Sequence, residues 1–191
     1  MRHTVERALA DMLPPLAGRR VLEVGCGAGQ LMADLETFGA RRDRLAGIDL
    51  VPERVAAAQS RLPGADIREG DAASLPWEDG RFDVVLQSMM LSSVLDPAVR
   101  TAAAREMGRV AAPDGLVVSY DFFVRSPGNS GTRPVSKSEL ASLFPGFSMR
   151  WRRTTLAPPL VRLLVPRARP LASGLQALRL LDTHALAVLR R

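Results

Sequence analysis

The sequence predicts a single doubly wound α/β domain on a mostly parallel sheet, and three observations carry that prediction. Short apolar runs recur along the chain with stretches of helical periodicity between them. The first run breaks into a glycine-rich loop and then a helix, and acidic-glycine turn signals precede two of the later runs.

The first strand is Val21 to Val24, whose apolar residues suit a central position in a parallel sheet. Gly25, Gly27 and Gly29 follow at alternate positions, where the lack of a Cβ allows a sharp turn and close approach of a ligand to the backbone. A dinucleotide fingerprint would need glycine at Gln30, so the third glycine stands one residue early. Glu23, inside the strand, would repel a phosphate and suit a cation. A sulfonium cofactor with an amino-acid tail fits this text better than a dinucleotide, and a purely structural turn is the alternative.

Arg44 to Asp49 reads as the second strand, ending in an acid about 20 residues past the glycines, where a ribose-binding carboxylate is expected. Asp66 to Glu69 is a short third strand, and Gly70 turns the chain so that Asp71 and Ala72 fall beyond its carboxyl end, where an adenine would lie. The alternative for Asp71 is a turn-capping aspartate. Phe82 to Leu86 follows the turn signal Glu78-Asp79-Gly80 as the fourth strand, and Leu116 to Tyr120 follows Pro113-Asp114-Gly115 as the fifth. Ser136-Lys137-Ser138-Glu139 reads as a capping box that opens a helix closed by Pro145-Gly146. Arg105, Glu106 and Arg109 stand at helical spacing and read as a solvated face.

These motifs together resemble the class I S-adenosylmethionine (SAM) dependent methyltransferases, in particular the small-molecule group that is similar to quinone-biosynthesis methyltransferases. The matching text is VLEVGCGAG, GIDLVPERV, GDAASLPWEDGRFDVVLQSMMLSSV and REMGRVAAPDGLVVSYDFF, over roughly residues 20 to 123. The resemblance implies a Rossmann-like sheet of seven strands in the order 3-2-1-4-5-7-6, with strand seven antiparallel. It further implies that Glu23, Gly25, Gly27 and Gly29 shape the methionine end of a SAM pocket lined by Cys26. Asp49 would bind ribose, Leu50 would flank the adenine, Asp71 would accept from its amino group with Ala72 beside it, and Gln87 would sit by the cofactor.

Strand six is expected over Phe147 to Leu156, where Phe147, Met149 and Trp151 alternate, and strand seven over Thr183 to Leu189. The connection between them, residues 157–182, is divided by Pro158, Pro159, Pro166 and Pro170 and reads as a helical insert that could roof the acceptor site. The chain carries a formal net charge of +6. Residues 150–191 hold nine arginines against Asp182 alone, so the excess belongs to this end. Arg162, Arg167 and Arg169 are therefore candidates for an anionic acceptor, or for docking on an anionic membrane surface to reach a lipid-linked one; the plain reading is a solvated basic face.

Composition narrows the class. At 191 residues, 47% hydrophobic and 24% charged, the chain suits one globular domain without a second. One cysteine and two histidines, His3 and His184, argue against a disulfide framework and a metal site. The amino-terminal text reads as a charged helix with no signal-peptide core, and no run of about 18 apolar residues is present, so the expected location is cytoplasmic, with peripheral membrane contact through residues 157–170 as an open reading. Nucleic acid is disfavoured as a partner: Gln87-Ser88-Met89-Met90 stands where base-amine methyltransferases resemble one another in an Asp/Asn-Pro-Pro-aromatic motif, and only 5% of residues are aromatic.

Methyl transfer from a sulfonium needs alignment above all, so a general base is optional. Asp121 and His184 are the candidate bases, at the end of strand five and the start of strand seven, while Met90 and Tyr120 join the arginines as candidate acceptor contacts. Two other functions stay open: a SAM-binding module without turnover, and a dinucleotide-dependent oxidoreductase, which the glycine spacing disfavours.

Overall fold

The computed structural model of the chain describes residues 12–124, 131–156 and 182–191. The first predicted helix with His3, the loop 125–130 and the insert 157–181 with Arg162, Arg167 and Arg169 lie outside the described residues.

Seven strands form one sheet: β1 (Val21–Val24), β2 (Leu45–Asp49), β3 (Asp66–Glu69), β4 (Phe82–Ser88), β5 (Ala111–Phe122), β6 (Ser148–Leu156) and β7 (Asp182–Arg190). Their order is β3-β2-β1-β4-β5-β7-β6, as the resemblance implies. β1 pairs in parallel with both β2 and β4, β3 and β5 extend the sheet in parallel, and β7 runs antiparallel to both β5 and β6. The strand order reverses between β1 and β4, which opens a crevice at the carboxyl ends of these strands.

Helices α1 (Gln30–Glu36) and α2 (Pro52–Arg61) cover one face of the sheet, and α4 (Pro97–Val110) and α5 (Lys137–Leu143) cover the other; α3 (Met90–Ser93) is a single turn at the end of β4. The residue period explains the two layers. Val21, Val84, Leu86, Val118 and Leu186 face Met32, Leu35 and Ala58, whereas Leu22, Val24, Val85, Val117 and Ala187 face Met107, Val110 and Leu140. Across the starts of β1 and β4, Asp83 Oδ2 accepts from the Arg20 amide at 2.7 Å and Oδ1 from Arg20 Nη2 at 3.0 Å.

Three local expectations need correction. β5 begins at Ala111, because Pro113-Asp114-Gly115 forms an irregularity within the strand and not a separate turn: the register slips between Phe82 and Val84, and a Cβ at Gly115 would stand 3.0 Å from Ala112 backbone atoms. Asp182, assigned to the insert from sequence, is the first residue of β7. Glu106 and Arg109 are no solvated face. They form an ion pair at 2.7 Å, Glu106 Oε2 accepts from the Leu75 amide, and Arg109 donates to the carbonyls of Leu75 and Trp77. Side chains on α4 thus anchor the loop between β3 and β4. Among the described residues no helix is long and apolar enough to cross a membrane.

Candidate functional site

A cleft of about 580 Å³ lies at the carboxyl ends of β1, β2, β3 and β4. One end is lined by Gly25, Gly27, Asp49, Leu50, Asp71 and Ala72, the other by Ser88, Met89, Met90, Ser93, Val94 and Val99.

The glycine loop is shaped from β1 outward. Gly25 and Cys26 both donate their amides to the Ile48 carbonyl, at 2.8 and 2.9 Å, and Gly25 and Gly27 adopt φ of +75° and +53°. Left-handed backbone of this kind favours glycine. A Cβ on Gly27 would meet nothing within 4 Å, so that backbone borders open space. Gly29 differs: a Cβ there would meet Ala58 on α2 at 3.1 Å and Leu62 just after it at 3.3 Å, which makes it a helix-packing position outside the cleft lining. Cys26 is buried and lies beneath the loop, its Sγ about 3.0 Å from where a Gly47 Cβ would stand. Burial pushes its thiol up to about 12, so it is protonated and inert at neutral pH.

Asp49 ties the loop to β2. Its Oδ2 accepts from the Gly27 amide at 2.8 Å and its Oδ1 from the Val51 amide at 3.1 Å. Each carboxylate oxygen keeps a further lone pair, so Asp49 can still accept from a diol. Glu23 is 3% exposed on β1, and its Oε2 has no hydrogen-bond partner among the described residues. Burial, with lesser contributions from the nearby charges of Asp49 and Asp34, raises its carboxyl well above the usual range. A buried carboxyl oxygen without a donor, two residues before the glycine loop, leaves an acceptor open that a nearby cation would favour in its charged form.

Leu50 is 70% exposed at the rim. Asp71 is a turn-capping aspartate, its Oδ1 accepting from the Ala73 amide at 2.8 Å, and it also lines the cleft. Arg54, which sequence reasoning missed, also lines it; nothing in its helical context distinguishes it from a solvated arginine.

The opposite wall is built on α3. Met89 takes φ +62°, the one non-glycine residue with positive φ among the described residues, and its amide donates to the Tyr120 carbonyl. That conformation turns the chain from β4 into α3 and sets Met90 against the glycine loop. Gln87 is 1% exposed behind this turn and does not line the cleft. Its Oε1 accepts from the Met90 and Leu91 amides at 2.8 and 3.2 Å, and its Nε2 donates to Ser119 Oγ at 2.7 Å.

Asp121 and His184 both lie away from the cleft lining. Asp121 Oδ2 accepts from the Ser92 amide at 3.0 Å and Oδ1 from the Phe122 amide at 2.9 Å. Burial raises its carboxyl despite these bonds. His184 is 4% exposed, stacked on Tyr120 and edge-on to Phe122, with Nδ1 3.0 Å from Thr183 Oγ1. Burial holds its imidazole below the usual range. Tyr120 is core, while Met90 lines the cleft.

The family model described as a methyltransferase domain matches residues 22–119. The chain belongs to this family. It is 31% identical over 146 residues to the ubiquinone biosynthesis O-methyltransferase of Azorhizobium caulinodans, covering 74% of this chain and 52% of that one. It is 38% identical over 116 residues to a demethylmenaquinone methyltransferase of Beutenbergia cavernae, covering 61% of this chain and 46% of that one. The chain thus spans about half the length of these curated relatives. Its fold is similar to that of a SAM-dependent methyltransferase from Mesorhizobium loti, with a TM-score of 0.68 and 18% identity over 97% of this chain and 96% of that one. The cofactor that goes with this family is SAM, and the lining residues fit it: Asp49 would meet the ribose diol, Leu50, Asp71 and Ala72 the adenine, and Gly25 and Gly27 the methionine end, whereas Glu23 and Cys26 are buried on and after β1 and lie outside the cleft lining.

Proposed function

We propose that this protein transfers a methyl group from SAM to a small-molecule acceptor, and that the acceptor surface met by Met89, Met90, Val94 and Val99 is apolar. The carrying observation is one cleft with two chemically different sides, lined by glycines, Asp49, Asp71 and Arg54 toward β1–β3 and by apolar residues with two serines toward β4 and α3. When bound, SAM supplies a methyl group on a positively charged sulfur that departs as a neutral thioether. Asp49 and the backbone at Gly25 and Gly27 hold the donor end, and the α3 wall sets the line of approach of the acceptor lone pair. Alignment of this kind supplies much of the barrier reduction in a bimolecular displacement.

We propose further that Gln87 and Asp121 act by holding α3 and do not touch the reacting atoms. An acceptor atom that is already nucleophilic then loses its proton to solvent as the new bond to carbon forms. The arginines at 162, 167 and 169 remain candidates for an anionic or lipid-linked acceptor.

The test is incubation with methyl-labelled SAM and a panel of hydroquinone, catechol, 4-hydroxybenzoate and benzylamine, with Asp49→Ala as the control. Labelled product that disappears in the variant supports the proposal. SAM binding by calorimetry with no transfer to any member would favour a binding module, and preference for 4-hydroxybenzoate over hydroquinone would favour an anionic acceptor.

A further inference from the structure

We infer that Arg100 is a positioning residue for the acceptor wall, an inference that rests on the methyl-transfer reading above. Arg100 is 1% exposed, the largest fully buried side chain among the described residues. It follows Val99, which lines the cleft, and reaches behind the wall to Val94, which lines it too. Its Nε and Nη2 both donate to the Val94 carbonyl, at 3.1 and 2.7 Å, and its Nη1 donates to Glu139 Oε1 at 2.7 Å.

Val94 is the residue that ends α3, its own amide donating to the Met90 carbonyl. The single turn of α3 is too short to be stable by its own hydrogen bonds. Buried side chains hold it at both ends: Gln87 and Asp121 accept from the amides of Met90, Leu91 and Ser92, and Arg100 donates to the carbonyl of Val94, the residue that caps the turn. The guanidinium is itself fixed by Glu139 from α5, whose Oε1 also lies 3.3 Å from Arg133 Nη2. The Arg133 amide donates to the Ser92 carbonyl at 2.8 Å, which fastens the segment after β5 to the same turn.

This arrangement explains a departure from the expected capping box. Ser136 Oγ accepts from the Glu139 amide at 3.1 Å, as that motif requires, but the Glu139 carboxylate pairs with Arg100 and Arg133. Arginine suits the position because its planar fork offers several donors in fixed directions; a lysine ammonium keeps the charge but has no fork to span Val94 and Glu139 together. Arg100 itself bonds to none of the residues of the cofactor end, so the effect expected of it falls first on the acceptor side.

The test uses the full chain with Arg100→Lys and Glu139→Gln, and SAM and hydroquinone as probes. We expect amide hydrogen exchange over residues 88–99 of the SAM-bound protein to quicken about tenfold or more in Arg100→Lys and less in Glu139→Gln. Exchange over residues 21–49 and the SAM dissociation constant should stay within about twofold of wild type. Where wild type methylates hydroquinone, its KM should rise about tenfold in Arg100→Lys with a smaller change in kcat. Absence of that reaction in wild type would count against the proposed substrate and leave the exchange measurement to decide on Arg100. Unchanged exchange over 88–99 in Arg100→Lys would overturn the inference. So would equal loosening of both segments with a matching loss of SAM affinity, since Arg100 would then be a general core residue.

Discussion

Met90 occupies the space that a side chain at Gly25 would need: a Cβ built on Gly25 stands 2.7 Å from Met90 Cγ and 2.8 Å from Met90 Cβ. The cofactor loop and the acceptor wall therefore meet at this pair, and the absence of a side chain on one side lets the other close the gap.

Gly25→Ala should lose more than tenfold in SAM affinity and about 2–4 kcal/mol in stability, from left-handed backbone strain and overpacking against Met90. Adding Met90→Ala should return part of the stability by relieving the contact, without relieving the φ of +75°. Calorimetry and urea unfolding of the single and double variants check this. A Gly25→Ala protein that binds SAM as wild type does would show that the loop backbone is not a ligand surface.

Asp49→Asn keeps one carbonyl oxygen but loses the charge that strengthens the Gly27 and Val51 amide bonds. Hydrogen bonds to charged groups contribute about 1.5–3 kcal/mol, so SAM binding should weaken about tenfold or more with a modest fall in Tm. Equal affinity in the two proteins would remove Asp49 from the ribose site.

Glu23→Gln should alter the pH dependence of the apo protein. The folded carboxyl is raised by burial, so as pH climbs from the ordinary carboxylate range the unfolded chain ionises first and wild-type stability falls until the raised value is passed. The variant lacks this loss, so its Tm relative to wild type should improve as pH rises above the ordinary carboxylate range. SAM affinity should move the opposite way and drop, because the carboxylate would no longer meet the cationic end of the ligand. A pH-independent Tm difference with unchanged SAM affinity would make Glu23 a packing residue.

His184→Phe separates a base from a buried ring. The folded imidazole is held below its usual range, so as pH falls through that range the unfolded chain takes up the proton first and wild-type stability is lost. The variant should show a smaller fall in Tm between pH 7 and 5.5 and should keep methyl transfer within about threefold. A base at this position would instead cost roughly 10²–10⁴ in kcat.

Much of the site was legible because its parts are local. Gly25, Gly27, Asp49, Asp71 and Ala72 stand at strand ends, and β-strand and turn chemistry place such residues at the carboxyl edge without knowledge of the rest of the fold. Glu106 and Arg109 were misread as solvated because helical spacing does not tell which helix face meets the loop of residues 75–79. Gln87 reads from the sequence as a pocket residue; in the fold its side chain lies behind the cleft and holds the Met90 and Leu91 amides of a turn that starts with the positive φ of Met89, which no sequence pattern signals in a methionine.

By itself the sequence determined the parallel core and the glycine loop with its acids, since these follow from the period of apolar residues, from turn-forming types and from motifs short enough to be read along the chain; the strand order was implied only by the resemblance to a known family. Only the tertiary structure decided that Arg100, Glu139 and Val94 meet behind the cleft, that Asp121 and His184 lie off its lining, and that Met90 fills the space over Gly25. Those contacts join residues 6 to 65 positions apart, and side-chain packing between separate elements settles them, which no local period encodes.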